Sequence, residues 1–402
     1  MGMSFPGRRN IMKKLISLTL AAAMTMSLLA GCGSNSSVGT DSADASAETF
    51  KIGGIGPITG AGAVYGIAVK NGAELAIKEI NEAGGINGYQ IEYNFQDDEL
   101  DNEKSVNAYN TLKDWGMNML VGSVTSGCCV AVAAESKNDN MFQITPSGSS
   151  VDCIEGNDNV FQVCFTDPNQ GVGAADYIGE NSLASKVAVI YDSSDVYSSG
   201  IYAKFKEEAA TQNFEIVSEE AFTADNKTDF SVQLAKAQEA GAELVFLPIY
   251  YTEASLILKQ ADSMGYAPKF FGCDGLDGIL GVENFDTSLA EGVMLLTPFA
   301  ADAQDDLTKK FVSAYETAYN DTPNQFAADA YDAVYAIKAA AEKGDVAPSE
   351  SVSGICDKMK AAMQEITVDG LTGEGMNWAA DGTVNKAPKA MEIKNGAYAL
   401  VQ

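Results

Sequence analysis

Histidine is absent from this 402-residue chain. Without an imidazole, Ser-His-Asp and Cys-His catalysis and His-containing zinc sites are excluded together. Positive charge is scarce as well: 26 Lys and Arg stand against 55 Asp and Glu, a formal charge of −29. Four of those cations (Arg8, Arg9, Lys13 and Lys14) belong to the extreme N-terminus, and removing that stretch takes the balance from −29 to −33. Such a surface repels polyanions, which makes nucleic acid a poor partner. After Ala30 no apolar run approaches membrane-spanning length.

Two ligand signatures are incomplete. Gly54, Gly56 and Gly60 come close to a dinucleotide fingerprint, but the third glycine is one residue late and Pro57 intrudes. No acidic residue follows about 20 positions on at a strand end, where a ribose contact would need it. The acidic run from Asp97 to Glu103 lacks the glycine that a calcium loop requires at its sixth position, and reads as a solvated helix start. No cofactor, metal or catalytic residue is expected. Of the seven cysteines, Cys128, Cys129, Cys153, Cys164, Cys273 and Cys356 are irregularly spaced. They read as buried free thiols, with one bridge left open, rather than as a disulfide framework or a four-thiolate site.

What is present begins at the N-terminus. The basic residues precede an apolar run from Leu15 to Ala30 that closes in Leu29-Ala30-Gly31-Cys32. A charged start, a short apolar stretch and small residues at its end describe a secretory signal over 1–31. The final tetrapeptide is similar to a bacterial lipobox, which implies acylation of Cys32. Residues 32–48, dominated by Ser, Ala, Asp and Gly, cannot bury enough surface to offset their ordering entropy and are expected to form a flexible tether. The folded part then starts near Thr49, and its length suits two lobes better than one core.

From Phe50 onward, short apolar runs alternate with helical periodicity. Phe50–Gly56 reads as a strand, and Val64, Ala68, Gly72, Leu75, Ala76 and Ile80 share the helical face that follows. The alternation continues through strands at 89–97, 119–121 and 141–145, with helices at 106–115 and 130–137. After a break at Asp167-Pro168 the unit is built again, with strands at 186–191, 215–220, 244–248 and 269–272 and helices between them. This implies an α/β fold of two Rossmann-like lobes with parallel sheets. The two helices expected over 305–343 and the short strands expected over 370–402 complete the lobes.

Open α/β sheets bind ligands beyond the carboxyl ends of their strands. In the first half the loops there hold Gly56–Gly62, Gly122–Gly127 and Pro146–Ser150, rich in glycine and small hydroxyls that suit a carboxylate. In the second half they hold Asp192–Tyr197, Tyr250-Tyr251 and Asp274-Gly275, which offer aromatic walls and an acceptor for a cation. Donors for an anion facing an acceptor for a cation specify an α-amino acid.

At Gly53–Gly66, Asn81–Ile86, Ile144-Thr145-Pro146 and Tyr250–Gly275 the chain resembles the substrate-binding proteins of ABC transporters that take up leucine, isoleucine and valine. The resemblance implies a type I binding-protein fold whose two lobes, joined by three hinge crossings, close around the ligand. It implies carboxylate-binding hydroxyls at Ser126 and Ser149, with backbone groups around Ser147 and Gly148. Aromatic walls are implied at Tyr65, Tyr197 and Tyr250, an ammonium partner at Asp274, and a side-pocket residue at Phe326. The family usually has glutamate where this chain has Asp274. Lobes are expected over 49–167 with 299–372, and over 168–298 with 373–402. The implied protein is an extracytoplasmic, lipid-anchored monomer that delivers its amino acid to a membrane permease. The alternatives are a ligand-sensing subunit, or a same-fold protein for another small carboxylate or amide.

Overall fold

In the computed structural model, which describes residues 48–401, the alternation resolves into two sheets. The first joins β1 (Phe50–Gly56), β2 (Ile91–Asp97), β3 (Met119–Val121), β4 (Gln143–Thr145) and β5 (Val160–Gln162) in the order β2-β1-β3-β4-β5, all parallel. The second joins β6 (Lys186–Asp192), β7 (Glu215–Phe222), β8 (Leu244–Leu247), β9 (Lys269–Gly272), β10 (Met294–Thr297), β11 (Lys389–Lys394) and β12 (Ala397–Leu400). Its order is β12-β11-β10-β9-β8-β6-β7, with β11 antiparallel to both its neighbours and the other pairs parallel. The expected two-lobe α/β architecture is what forms. The signal segment, Cys32 and all but the last residue of the expected tether lie outside the described residues.

The helices are α1 (Ala63–Glu82), α2 (Asn102–Trp115), α3 (Ser126–Asp139), α4 (Asp167–Glu180), α5 (Val196–Ala209), α6 (Ser231–Glu239), α7 (Tyr251–Ser263), α8 (Asp306–Tyr319), α9 (Gln325–Lys343) and α10 (Val352–Met363). Central strands such as β3 and β8 are buried along their whole length, as parallel strands covered on both faces must be. Their apolar side chains each contribute about 1.5–3 kcal/mol by leaving water. Helices α1 and α9 pack along each other beside the first sheet. Gly72 permits this contact, because a Cβ there would lie 2.0 Å from the carbonyl oxygen of Ala327.

Several expectations need correction. The break at Asp167-Pro168 is the start of α4: Thr166 caps it by accepting from the Asn169 N–H, and proline is harmless in the first turn, where no intrahelical acceptor awaits its missing N–H. Strands β5 and β10 and helix α10 were not expected. The acidic run at 97–103 is only partly solvated: Asp98 is buried and accepts from the Leu100 N–H and the Ser105 hydroxyl. Beyond 373 the chain still lies against the first sheet. Gln162 donates its N–H to the Gly382 carbonyl at 2.9 Å and accepts from the Trp378 indole at 2.8 Å. The chain rejoins the second sheet only at β11. It thus passes between the sheets near 163–166, 298–305 and 385–388.

Candidate functional site

The strand order reverses between β1 and β3 in the first sheet, and between β6 and β8 in the second. Loops leaving these strands diverge and open a crevice, the usual ligand position in doubly wound sheets. On the first side, β3 runs into Gly122–Thr125 and then α3, whose first residue is Ser126 and whose N-terminus has no side-chain cap. The uncapped N–H groups and the positive end of the helix favour an anion. Ser126 is buried, and its hydroxyl accepts from the Ser150 N–H at 3.2 Å.

On the second side, α5 begins beside Tyr197 and α7 is preceded by Tyr250, and the two rings stack with centroids 4.9 Å apart and planes 7° from parallel. Asp274 opens the turn after β9 and is 4% exposed. The Tyr197 hydroxyl donates to Asp274 Oδ1 at 2.6 Å and accepts from the Gly275 N–H at 2.9 Å. Burial pushes the Asp274 carboxyl up to about 7, opposed by the Tyr197 hydrogen bond. Among the described residues no cation forms an ion pair with it.

Tyr65, Ser126, Ser147, Tyr197, Tyr250, Asp274 and Phe326 border one cavity, together with Val124, Thr125 and Gly275. Seven of the nine expected ligand-binding residues therefore converge. Gly148 and Ser149 do not border it. The Gly148 N–H is given to Thr145 Oγ1 at 2.7 Å, and its carbonyl accepts from Gln162 at 2.7 Å, so both backbone groups are committed within the loop. The Ser147 hydroxyl is likewise committed, donating to the Val124 carbonyl at 2.7 Å. Ser149 Oγ is buried without a hydrogen-bond partner, as is Thr125 Oγ1.

The two sides also touch directly. The Tyr65 hydroxyl donates to the Gly275 carbonyl at 2.5 Å and accepts from the Tyr251 N–H at 3.1 Å, while Thr252 donates to the Ala61 carbonyl at 2.8 Å. The Tyr65 ring also meets Phe326 at 4.5 Å and Tyr251 at 4.6 Å between centroids. The cavity walled by the Tyr65, Tyr197, Tyr250 and Phe326 rings measures about 10 Å³, roughly the room of one water.

The expected ligand-binding set left out Tyr251, although its loop was singled out, and the loops gave no hint of Gln170 or Gln325. Tyr251 links the sides through Tyr65, and Gln170 accepts from the Asp274 N–H at 3.1 Å. Gln325 donates its side-chain amide to the Asp274 carbonyl at 2.9 Å. Only Tyr251 carried a signal, standing beside Tyr250 after a strand. Beneath them, Lys386 and Asp329 form a fully buried ion pair at 2.9 Å. All six cysteines among the described residues are buried and free.

A profile for periplasmic binding proteins matches residues 49–397. The chain belongs to that family. It is 32% identical over 327 residues to a Leu/Ile/Val-binding protein homolog of Brucella melitensis, covering 80% of this chain and 85% of the relative. It is 30% identical over 308 residues to the leucine-, isoleucine-, valine-, threonine- and alanine-binding protein of Pseudomonas aeruginosa, covering 76% and 82%. Among solved structures it resembles the branched-chain amino acid binding protein LivJ of Streptococcus pneumoniae in complex with isoleucine, with a TM-score of 0.79 and 31% identity over 87% of this chain and 97% of that one. The leucine-binding protein LivK of Thermotoga maritima shares the fold at the same TM-score and 24% identity, over 88% of this chain and 98% of that one.

Proposed function

We propose that this periplasmic binding protein captures a branched-chain or similar apolar α-amino acid between its lobes and delivers it to an ABC permease. One observation carries the reading: a desolvated carboxylate with no cationic partner, Asp274, faces the uncapped N-terminus of α3 across a small cavity walled by aromatic rings. Zwitterion ends find opposite partners at its two sides, and an apolar side chain finds Tyr65, Tyr250 and Phe326. The relatives named for leucine, isoleucine and valine support the same ligand class.

In this reading Ser126 and the first turn of α3 hold the ligand carboxylate, and Ser149, with its unused hydroxyl, turns toward it when the ligand enters. Asp274, oriented by Tyr197, holds the ammonium. Because the cavity leaves room for about one water, entry requires the lobes to part, breaking the Tyr65–Gly275 and Thr252–Ala61 hydrogen bonds that closure restores. The lobes proposed are the two sheets with their covering helices, joined at the three passages.

Cys32 is proposed as an acylated anchor that holds a monomer on the outer face of the cell membrane. Cys32→Ser should release the protein or leave it unprocessed, and normal processing with retention at the membrane would refute the anchor. The ligand is tested by thermal shift of the full chain against the twenty amino acids, where a ligand at 100 times its dissociation constant adds about 2.7 kcal/mol. No response to any of them, with a response to an amide or an aromatic acid, would sink the amino-acid reading.

A further inference from the structure

Behind the turn that carries Asp274 lies a second and larger cavity of about 430 Å³. Its floor is the 298–305 passage between the sheets, through Phe299 and Ala301. Its walls come from both sides, with Val64 and Val312 from α1 and α8, and Tyr398 from β12. Four carboxylates border it, those of Asp277, Asp302, Glu316 and Asp321, and no Lys or Arg does. Among the described residues none of the four forms an ion pair.

Asp277 sets this apart from a solvated acidic rim. It is 4% exposed; its Oδ2 accepts from the Gln325 N–H at 2.9 Å, while its Oδ1 is buried without a partner. Burial pushes its carboxyl up to about 6, against the weaker pull of the Gln325 N–H, the Tyr398 hydroxyl and the Gly278 N–H. A buried carboxylate oxygen without a full hydrogen bond is costly, and a cation that supplies both charge and N–H groups relieves the cost. The apolar wall asks for more than an inorganic ion.

We propose that this hinge-side cavity is a second small-molecule site, which takes a primary ammonium on a short apolar body. It excludes amino acids, because four carboxylates repel the carboxylate that the Asp274 cavity welcomes. The two sites are mechanically joined: Gln325 gives its backbone N–H to Asp277 and its side-chain amide to the carbonyl of Asp274.

The test uses isopentylammonium, which is leucine without its carboxylate, and 3-methylbutan-1-ol as its neutral isostere. Each is titrated into the ¹⁵N-labelled full chain at constant ionic strength, with and without leucine. Amide signals of Gly278, Asn324 and Tyr398 should move with isopentylammonium, which should bind about ten-fold or more tightly than the alcohol. Asp277→Asn keeps an acceptor for Gln325 and should bring the two affinities together. Val312→Trp, which fills the cavity from α8, should abolish the shifts and serves if Asp277→Asn does not fold. Equal affinity for the two probes in the parent, an unchanged affinity in both variants, or movement only at Tyr65, Ser126 and Tyr250 overturns the proposal. Leucine calorimetry on the same samples reports on the Asp274 cavity separately, so failure of one site is not read as failure of the other.

Discussion

The two walls of the Asp274 cavity are built on opposite physical principles. The first sheet contributes no charged side chain: it offers Ser126, Thr125, Ser147 and the open end of α3, a partial positive charge spread over backbone groups. The second contributes a full charge, Asp274, desolvated and braced by a tyrosine that is itself buried. A backbone dipole costs little to bury because the helix already pairs most of its groups. An isolated carboxylate is expensive to bury and holds its proton more tightly as a result. The second wall should therefore dominate affinity and its pH dependence, while the first wall is more tolerant of change.

The sharpest way to break this asymmetry is Asp274→Ala. It leaves the ligand ammonium buried and unpaired, and should weaken leucine binding by about 3–5 kcal/mol in calorimetry. Binding as tight as in the parent would mean that the ammonium is held elsewhere. Ser126→Ala removes one hydrogen bond to a charged group and should cost about 1.5–3 kcal/mol. A loss larger than that of Asp274→Ala would reverse the proposed order of the walls.

The pH dependence sharpens the comparison next. Bound ammonium requires Asp274 to be ionised, so affinity should fall about ten-fold between pH 8 and pH 6 as the group, poised near 7, takes up a proton. Asp274→Asn should flatten that profile. Stability of the ligand-free chain runs the other way. Folded Asp274 keeps its proton up to about 7, whereas an unfolded aspartate loses it near 3.9, so the folded state binds more protons in that window and this contribution is lost as pH rises through it. The free chain should melt higher at pH 5 than at pH 8, and a melting point that rises with pH would contradict the burial argument. The smallest effect is expected from Tyr65→Phe, which removes the hydroxyl bridging the walls and should cost about 0.5–1.5 kcal/mol of binding, with faster ligand release in stopped flow.

Much of the first wall was legible because its chemistry is local. A run of small residues between a buried strand and a helix specifies a loop, a helix start and uncapped N–H groups within a few positions, as in Gly122–Ser126. Where sequence reasoning went wrong, the signal was ambiguous over the same short range. Pro168 serves equally as a break and as a first-turn residue. The three residues of β5 and the four of β10 are too few to display a period. Gly148, expected beside the ligand, does not border the cavity, and its N–H and carbonyl bond Thr145 and Gln162.

By itself the sequence determined the alternation of strands and helices, the crevice at the carboxyl ends of the strands, and the kinds of group that meet there. These follow from local periodicity and from the chemistry of residues within one loop. Only the tertiary structure decided that Tyr65 caps α7 across 186 residues, that Gln325 spans 51 residues to the carbonyl of Asp274, and that Asp277 faces away into a second cavity. Hydrogen bonds between distant segments depend on how whole sheets and helices pack. That packing is set by summed burial over many side chains and leaves no mark in the spacing of any one motif.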